Sequence, residues 1–260
     1  MTPQFTVCCL LYGDYPTLAE RLLESLCRPG WFPWFKLRIG WNNLSRSSAD
    51  VLLKYVDKLA VPLEVCTSGE APFYKYPTMR KLFAAKEIST PYVMWFDDDS
   101  YIMPTAGDDW FANVAQKMGK HDMIGAPYFK SPEGAQLPFW AAQSWYTGKP
   151  WKTTGMRRKV DFITGGWWTI WGGILRQFDW PSPSLEHNGG DVMLGALLHQ
   201  QGKRLGKFTE HLGINCDTSA KCSSAKRRGF SQKPAGYDYK GEPLPSAPTP
   251  KPDPWRDMLG

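Results

Sequence analysis

The sequence predicts an α/β protein built on a mostly parallel sheet flanked by helices, with an irregular Pro-rich C-terminal tail. Three observations carry this. Strand and helix signals alternate through the first third of the chain; the apolar run Val93-Met94-Trp95-Phe96 stops abruptly at Asp97-Asp98-Asp99; and Pro243–Pro254 is too rich in proline for helix or central strand.

Phe5–Tyr12 reads as a first strand and Tyr15–Cys27 as a helix, with Asp14 before Tyr15-Pro16 as its start signal. Lys36–Trp41 is the next strand, Ser47–Leu59 a helix opened by the Ser47-Ser48 pair, and Leu63–Cys66 a third strand. Thr78–Glu87 is a helix announced by Pro77-Thr78, and Tyr92–Phe96 a buried strand. Crossover rules make such a series mostly parallel and right-handed. Beyond it, Trp110–Lys120 suits an amphipathic helix and His121–Ala126 a further strand. Asp191 stands at the start of a helix after Gly189-Gly190, with an apolar face expected at Val192, Ala196 and His199. The seven tryptophans from Trp140 to Trp180 are expected to build core for the most part, leaving some to form a stacking platform.

At 260 residues the chain can hold one large domain with a sizeable core. No apolar stretch approaches the ~20 residues needed to cross a bilayer. Six cysteines lie scattered without a CxxC pair, which predicts reduced thiols and a cytoplasmic chain. A zinc site from His211, Cys216 and Cys222 matches no common spacing. The net charge of +6 equals the local excess between Lys203 and Lys233, where eight basic residues face Glu210 and Asp217. A basic segment of this kind suits a polyanionic ligand or is a solvated loop.

The strand-end aspartates carry the chemistry. On an extended chain Asp97 and Asp99 share one side and Asp98 the other. Like charges that close call for a counter-cation or a shared proton, and oxygen donors suit Mg2+ or Mn2+, which would in turn hold a phosphorylated ligand. After the first strand the chain reads Tyr12-Gly13-Asp14-Tyr15-Pro16, without GxGxxG, and no Walker A sequence occurs. Neither common phosphate loop is present, so a metal is the expected phosphate handle.

The order of these elements resembles the GT-A glycosyltransferases, most closely the family 2 type, over roughly residues 5–215. In that fold a Rossmann-like nucleotide-binding half ends in a DxD motif, here Asp97-Asp98-Asp99. A glycine-rich acceptor segment follows, matched by Gly165-Gly166-Trp167-Trp168, and then an acidic motif opening a helix, matched by Asp191. The motif usually reads Glu-Asp, and this chain has Gly190 before Asp191. The resemblance implies residues 1–103 as the nucleotide-binding half, 104–215 as the acceptor half and 216–260 as a tail. It implies a metal on Asp99 and Asp97 with the late His211, a nucleotide sugar near Tyr12, Asp14, Asn42, Arg80, Asp97 and Asp98, and acceptor contacts at Gly165, Gly166, Trp167 and Trp168. A carboxylate at Asp191 would be the general base of an inverting displacement. The implied reaction moves a sugar from a nucleotide-diphosphate sugar to a hydroxyl, with Mn2+ or Mg2+ as cofactor. The acceptor stays open between a hydroxymethylated pyrimidine in DNA and a glycan or small molecule, and so does the oligomeric state. Two other classes are weighed: a sugar nucleotidyltransferase, which lacks its basic glycine-rich loop here, and a non-enzymatic nucleic-acid-binding protein, which leaves the triple Asp unexplained.

Overall fold

The computed structural model describes residues 2–42, 44–67, 75–83, 88–132, 136–178, 180–182, 185 and 189–216. The Lys221–Lys233 part of the basic segment, Cys222 and the Pro-rich stretch lie outside them, as do residues 84–87 of the third expected helix.

The first half runs β1 (Phe5–Tyr12), α1 (Pro16–Leu26), β2 (Phe35–Asn42), α2 (Arg46–Val56), β3 (Leu63–Thr67), α3 (Lys75–Phe83) and β4 (Tyr92–Asp97). A short 3-10 turn over Pro29–Trp34 leads into β2. There follow β5 (Tyr101–Ile102), α4 (Trp110–Met118), β6 (Met123–Lys130), α5 (Gln136–Ala141), β7 (Lys152–Thr154) and β8 (Arg157–Trp171). The described chain closes with α6 (Gly172–Phe178), α7 (Gly190–Gln200), β9 (Leu205–Lys207) and β10 (Leu212–Gly213).

The main sheet has the order β3-β2-β1-β4-β8-β6-β9, with β7 on the free flank of β8. β1 pairs in parallel with β2 and β4, β2 with β3 and β6 with β9, whereas β8 is antiparallel to β4, β6 and β7. The expected series of parallel strands is therefore present from β1 to β4. The long β8 has no counterpart among the expected elements, because its run of Arg, Lys and Gly carries no strand-like alternation.

Core packing follows the two-residue strand period. Val7, Cys9, Met94 and Phe96 face one layer together with α1, α2 and α4. Cys8, Leu10, Val93 and Trp95 face the other, with α3 and α7. Each layer excludes water from one face of the sheet, which is why the strands read as continuous apolar runs. Trp167 and Trp168 go to opposite layers, and Trp95 stacks on Trp168 with ring centroids 6.0 Å apart.

Several start signals resolve differently from their sequence pattern. The residue before α1 is Tyr15, which makes no side-chain capping bond; Asp14 instead accepts from Ser45 Oγ and Ser47 Oγ, at 2.7 Å each. Ser45, not the Ser47-Ser48 pair, caps α2, and Ser48 Oγ accepts from the Tyr15 backbone N–H. α3 begins at Lys75, before Pro77, since proline is tolerated within the first helical turn. α7 is buried on nearly all sides rather than on one stripe, and His199 is the residue that reaches outward, stacking on Trp151 at 5.2 Å.

Candidate active site

The parallel strands β1, β2 and β4 end along one edge of the sheet, the edge where open α/β sheets bind ligands. Tyr12 and Asn42 are register partners at the ends of β1 and β2. Gly13 N–H donates to the Asn42 carbonyl and Ser45 N–H to the Gly13 carbonyl, so the loops after the two strands are clasped together. Gly13 has φ 64°, a conformation that glycine adopts at no steric cost. Tyr12, Asp14 and Asn42 are thus brought to one place, with Asp14 exposed and Asn42 buried.

β4 delivers Asp97 on the same face as Val93 and Trp95, toward α3 and α7. The alternation stops there: Ser100 N–H closes a turn on the Asp97 carbonyl, so Asp98 and Asp99 do not continue the extended chain expected of them. Both are buried. The Asp97 carboxylate accepts from Trp95 Nε1 at 2.8 Å and from Lys75 Nζ, which lies 2.8 Å from each of its oxygens. Lys75 Nζ also donates to the Gly165 carbonyl at 3.3 Å. α3, which carries Lys75, is locked to the sheet by close contact at Gly40, where a side chain would meet Thr78 and Leu82 at about 3 Å. Arg38 adds a hydrogen bond to the Leu82 carbonyl.

Gly165 comes to the site through an irregularity in β8. Against β6, Ile163 pairs with Pro127 and Trp168 with Gly125, so Thr164-Gly165-Gly166-Trp167 bulges opposite Ala126 alone. A side chain at Gly165 would meet Lys75 Nζ at 3.1 Å and Asp191 Oδ2 at 3.4 Å. One at Gly166 would collide with Asn215 Oδ1 at 2.2 Å. Both glycines therefore border the site with bare backbone, while the Trp167 and Trp168 rings, expected to touch an acceptor, are core.

Asp191 lies in the first turn of α7, behind Gly189 at φ 80°. Its Oδ1 accepts from the Tyr76 hydroxyl at 3.3 Å. Burial first, and then the Asp191 and Asp97 carboxylates, push the Tyr76 hydroxyl well above its ordinary value of 10.0, so it stays protonated and donates. Tyr76 also accounts for Gly190: a Cβ there would fall 2.1 Å from the Tyr76 ring, which fills the space that a glutamate at this position would need. No sequence motif marks Lys75 or Tyr76, although Pro77 is a signal that could place them in a first helical turn.

The late residues return to the triple Asp by another route than expected. β10 pairs with β5, and beyond it Cys216 N–H donates to the Asp99 carbonyl at 2.9 Å and Asn215 N–H to Ser100 Oγ at 3.0 Å. His211, before β10, sits at φ 58° with Nδ1 3.0 Å from Thr105 Oγ1. Among the described residues no three His, Cys, Asp or Glu side chains group as a metal cage, so the set Asp97, Asp99 and His211 is not assembled here. Asp99, buried just beyond the end of β4, is an oxygen donor of the kind that hard divalent ions take, one or two carboxylates commonly serving with phosphates and water. Arg80 donates to the Pro181 carbonyl at 2.6 Å and braces α3 against the segment before α7. No described helix is long and apolar enough to cross a membrane.

Among solved structures the chain is similar to the mannosyltransferase PcManGT from Pyrobaculum calidifontis in complex with GDP-Man and Mn2+, with 14% identity over 80% of this chain and 55% of that one and a TM-score of 0.54. The chain has a GT-A glycosyltransferase fold. TarS 1-349 from S. aureus matches at 16% identity over 81% of this chain and 58% of that one, with a TM-score of 0.49. TarS 1-349 in complex with UDP-GlcNAc matches at 18% over 81% and 56%, with a TM-score of 0.48. The chain spans a little over half the length of these structures. No protein-family model matches it. No curated protein sequence matches it either. Within this fold Asp97 ends β4, and Asp191 lies in the first turn of α7, the helix that packs on β8.

Proposed function

We propose that this protein is an inverting glycosyltransferase that moves a sugar from a nucleotide-diphosphate sugar to a hydroxyl acceptor. The observation that carries the proposal is the meeting of Asp97, Lys75 and Asp191 around the bare backbone of Gly165, three chain segments far apart in sequence. The donor would occupy the edge formed by Tyr12, Asp14, Asn42 and the triple Asp, with its sugar toward Gly165. Asp191 takes the proton of the acceptor hydroxyl as the oxygen bonds to the anomeric carbon, while the carbon–oxygen bond to the diphosphate breaks and the nucleotide diphosphate leaves with that electron pair. A base and a leaving group on opposite sides of one carbon give inversion.

Tyr76 holds Asp191 by a hydrogen bond from a hydroxyl that does not itself ionise, which fixes the carboxylate's orientation. Lys75 binds both Asp97 oxygens and compensates the charge of that carboxylate. Asp99, with Asp97 beside it, would hold the divalent ion, Mn2+ or Mg2+. When bound, such an ion supplies neutralisation of the leaving diphosphate. Of the acceptors considered, a hydroxymethylated pyrimidine in DNA offers a primary hydroxyl and suits the basic composition.

The test is a panel of UDP- and GDP-sugars with and without Mn2+, read by mass analysis of products and by NMR of the new anomeric centre. Transfer with inversion is expected. Transfer with retained configuration removes Asp191 as the base of a single displacement; pyrophosphate release from a sugar phosphate and a nucleoside triphosphate would make the protein a nucleotidyltransferase instead.

A further inference from the structure

We propose that the surface where β6, the β7–β8 hairpin and the end of α7 meet binds single-stranded nucleic acid, gripping phosphates with lysines and stacking bases on Tyr128 and Phe129. It deepens the glycosyltransferase reading by giving the acceptor a seat, and rests on that reading only for where the reacting hydroxyl goes. A surface cavity of about 570 Å³ opens there. Four basic side chains, Lys152, Lys159, Lys203 and Arg204, line it against the single acid Asp161.

Asp161 ties Lys152 at 2.8 Å and Lys159 at 2.9 Å, so one carboxylate holds two ammonium groups and leaves a net positive charge. The arrangement is built rather than adventitious: Lys159 Nζ lies 4.6 Å from the Phe129 ring centroid and Lys203 Nζ 5.5 Å from that of Trp171. Tyr128 and Phe129 are 60% and 65% exposed and, as neighbours on β6, project to opposite faces of the strand, Phe129 beside Lys159 and Tyr128 beside Phe162, so each offers its ring to a base on its own side. Register explains the exposure. Tyr128 and Phe129 pair with Phe162 and Asp161 on β8, whereas the pairing of β6 with β9 covers only Met123, Ile124 and Gly125.

Exposed rings beside cations are the combination that single strands need, since every base has a π-face and every linkage a negative phosphate. A polyanion without bases would use the lysines and leave the rings idle, so the rings favour nucleic acid. Duplex DNA hides its base faces, so an unpaired or extruded base is the form that fits.

The cavity and the candidate active site share two elements, β8 and α7. Asp161 precedes Gly165 on β8, a span of no more than about 14 Å. His199, which lines the cavity, follows Asp191 on α7 by about 12 Å at the helical rise. A strand held here has its next one or two nucleotides within reach of Asp191.

The experiment uses the full chain and a fluorescein-labelled 20-nucleotide oligothymidine, followed by anisotropy over a series of salt concentrations. The double substitution Tyr128→Ala/Phe129→Ala should weaken binding about tenfold or more without changing the salt slope. Lys152→Ala/Lys203→Ala should lower the slope by about 0.7 for each phosphate that is no longer neutralised. These side chains reach solvent, so melting temperatures should stay near that of the unaltered protein. Unchanged binding by the aromatic variant, or displacement by inorganic polyphosphate as effective as by unlabelled oligonucleotide, overturns the proposal. UDP- and GDP-sugar binding is titrated in parallel by tryptophan fluorescence. Oligonucleotide binding without donor binding would overturn the glycosyltransferase reading and leave this surface standing; donor binding without oligonucleotide binding would overturn this surface alone.

Discussion

The two sides of the β4–β8 junction reach the candidate active site by different means. On the β1–β4 side the strands are parallel, so their ends arrive together, and Tyr12, Asn42 and Asp97 share an edge because of topology alone. On the β8 side the strand runs the other way, and no strand end brings Gly165 or Asp191 to that edge. A bulge opposite Ala126 places Gly165, and a close approach of α7 to β8 at Gly195, where a side chain would meet the Asp161 carbonyl at 2.5 Å, places Asp191. The parallel side therefore gathers its strand-end residues by topology, and the antiparallel side gathers Gly165 and Asp191 by a bulge and a close helix contact. Lys75 links the two, since it holds Asp97 on one side and the Gly165 carbonyl on the other.

The sharpest break of this comparison is Asp99→Asn on the parallel side. Turnover should fall below detection and donor binding should weaken, with the fold intact by circular dichroism; full activity in that variant, or in excess chelator, would end the assignment of Asp99 to a divalent ion. Asp191→Asn, on the other side, should cost roughly 100-fold or more in kcat and leave the donor dissociation constant nearly unchanged. Equal losses in donor affinity from both variants would erase the division into a donor side and an acceptor side.

Lys75→Met tests the link. Turnover should drop by on the order of 10- to 100-fold, as expected when reacting groups are misplaced by about 1 Å. An unchanged rate would make Lys75 a packing residue.

Smaller effects report on stability. Gly190→Ala pushes a methyl group into the Tyr76 ring and should cost about 1–3 kcal/mol in urea unfolding. The pH dependence separates the layers more gently. Burial pushes the Cys8 and Cys9 thiols above their ordinary value of 9.0 and the Tyr76 hydroxyl above 10.0. The folded protein then keeps protons that the unfolded chain releases, so stability is level below about pH 9 and declines as pH rises through 9 and 10. The melting temperature should follow that course between about pH 8 and pH 11, and Tyr76→Phe should flatten its upper part. A flat curve in the unaltered protein would mean that these groups are not sealed from solvent.

What the sequence determined by itself is local. Apolar runs with turn signals located β1, β2, β3 and β4 to within a residue or so; β1 and β4 are buried on both faces and so read as nearly unbroken apolar runs, whereas the edge strand β3 carries the exposed Glu64. The triple Asp was legible for the same reason, as was Asp191 at its helix start. Only the tertiary structure decided which groups face one another. Lys75 and Tyr76 look like any basic and aromatic pair before a proline, and Asn215 like any loop residue, until α3 packs on β2 and β10 folds back on β5. His211, a metal ligand by the resemblance, is turned to Thr105, and it is Cys216 that bonds the Asp99 carbonyl, with Asn215 on the neighbouring Ser100. Periodicity constrains which side of a strand or helix a residue occupies; what waits on that side depends on contacts between distant segments, and those are fixed by packing rather than by any local pattern.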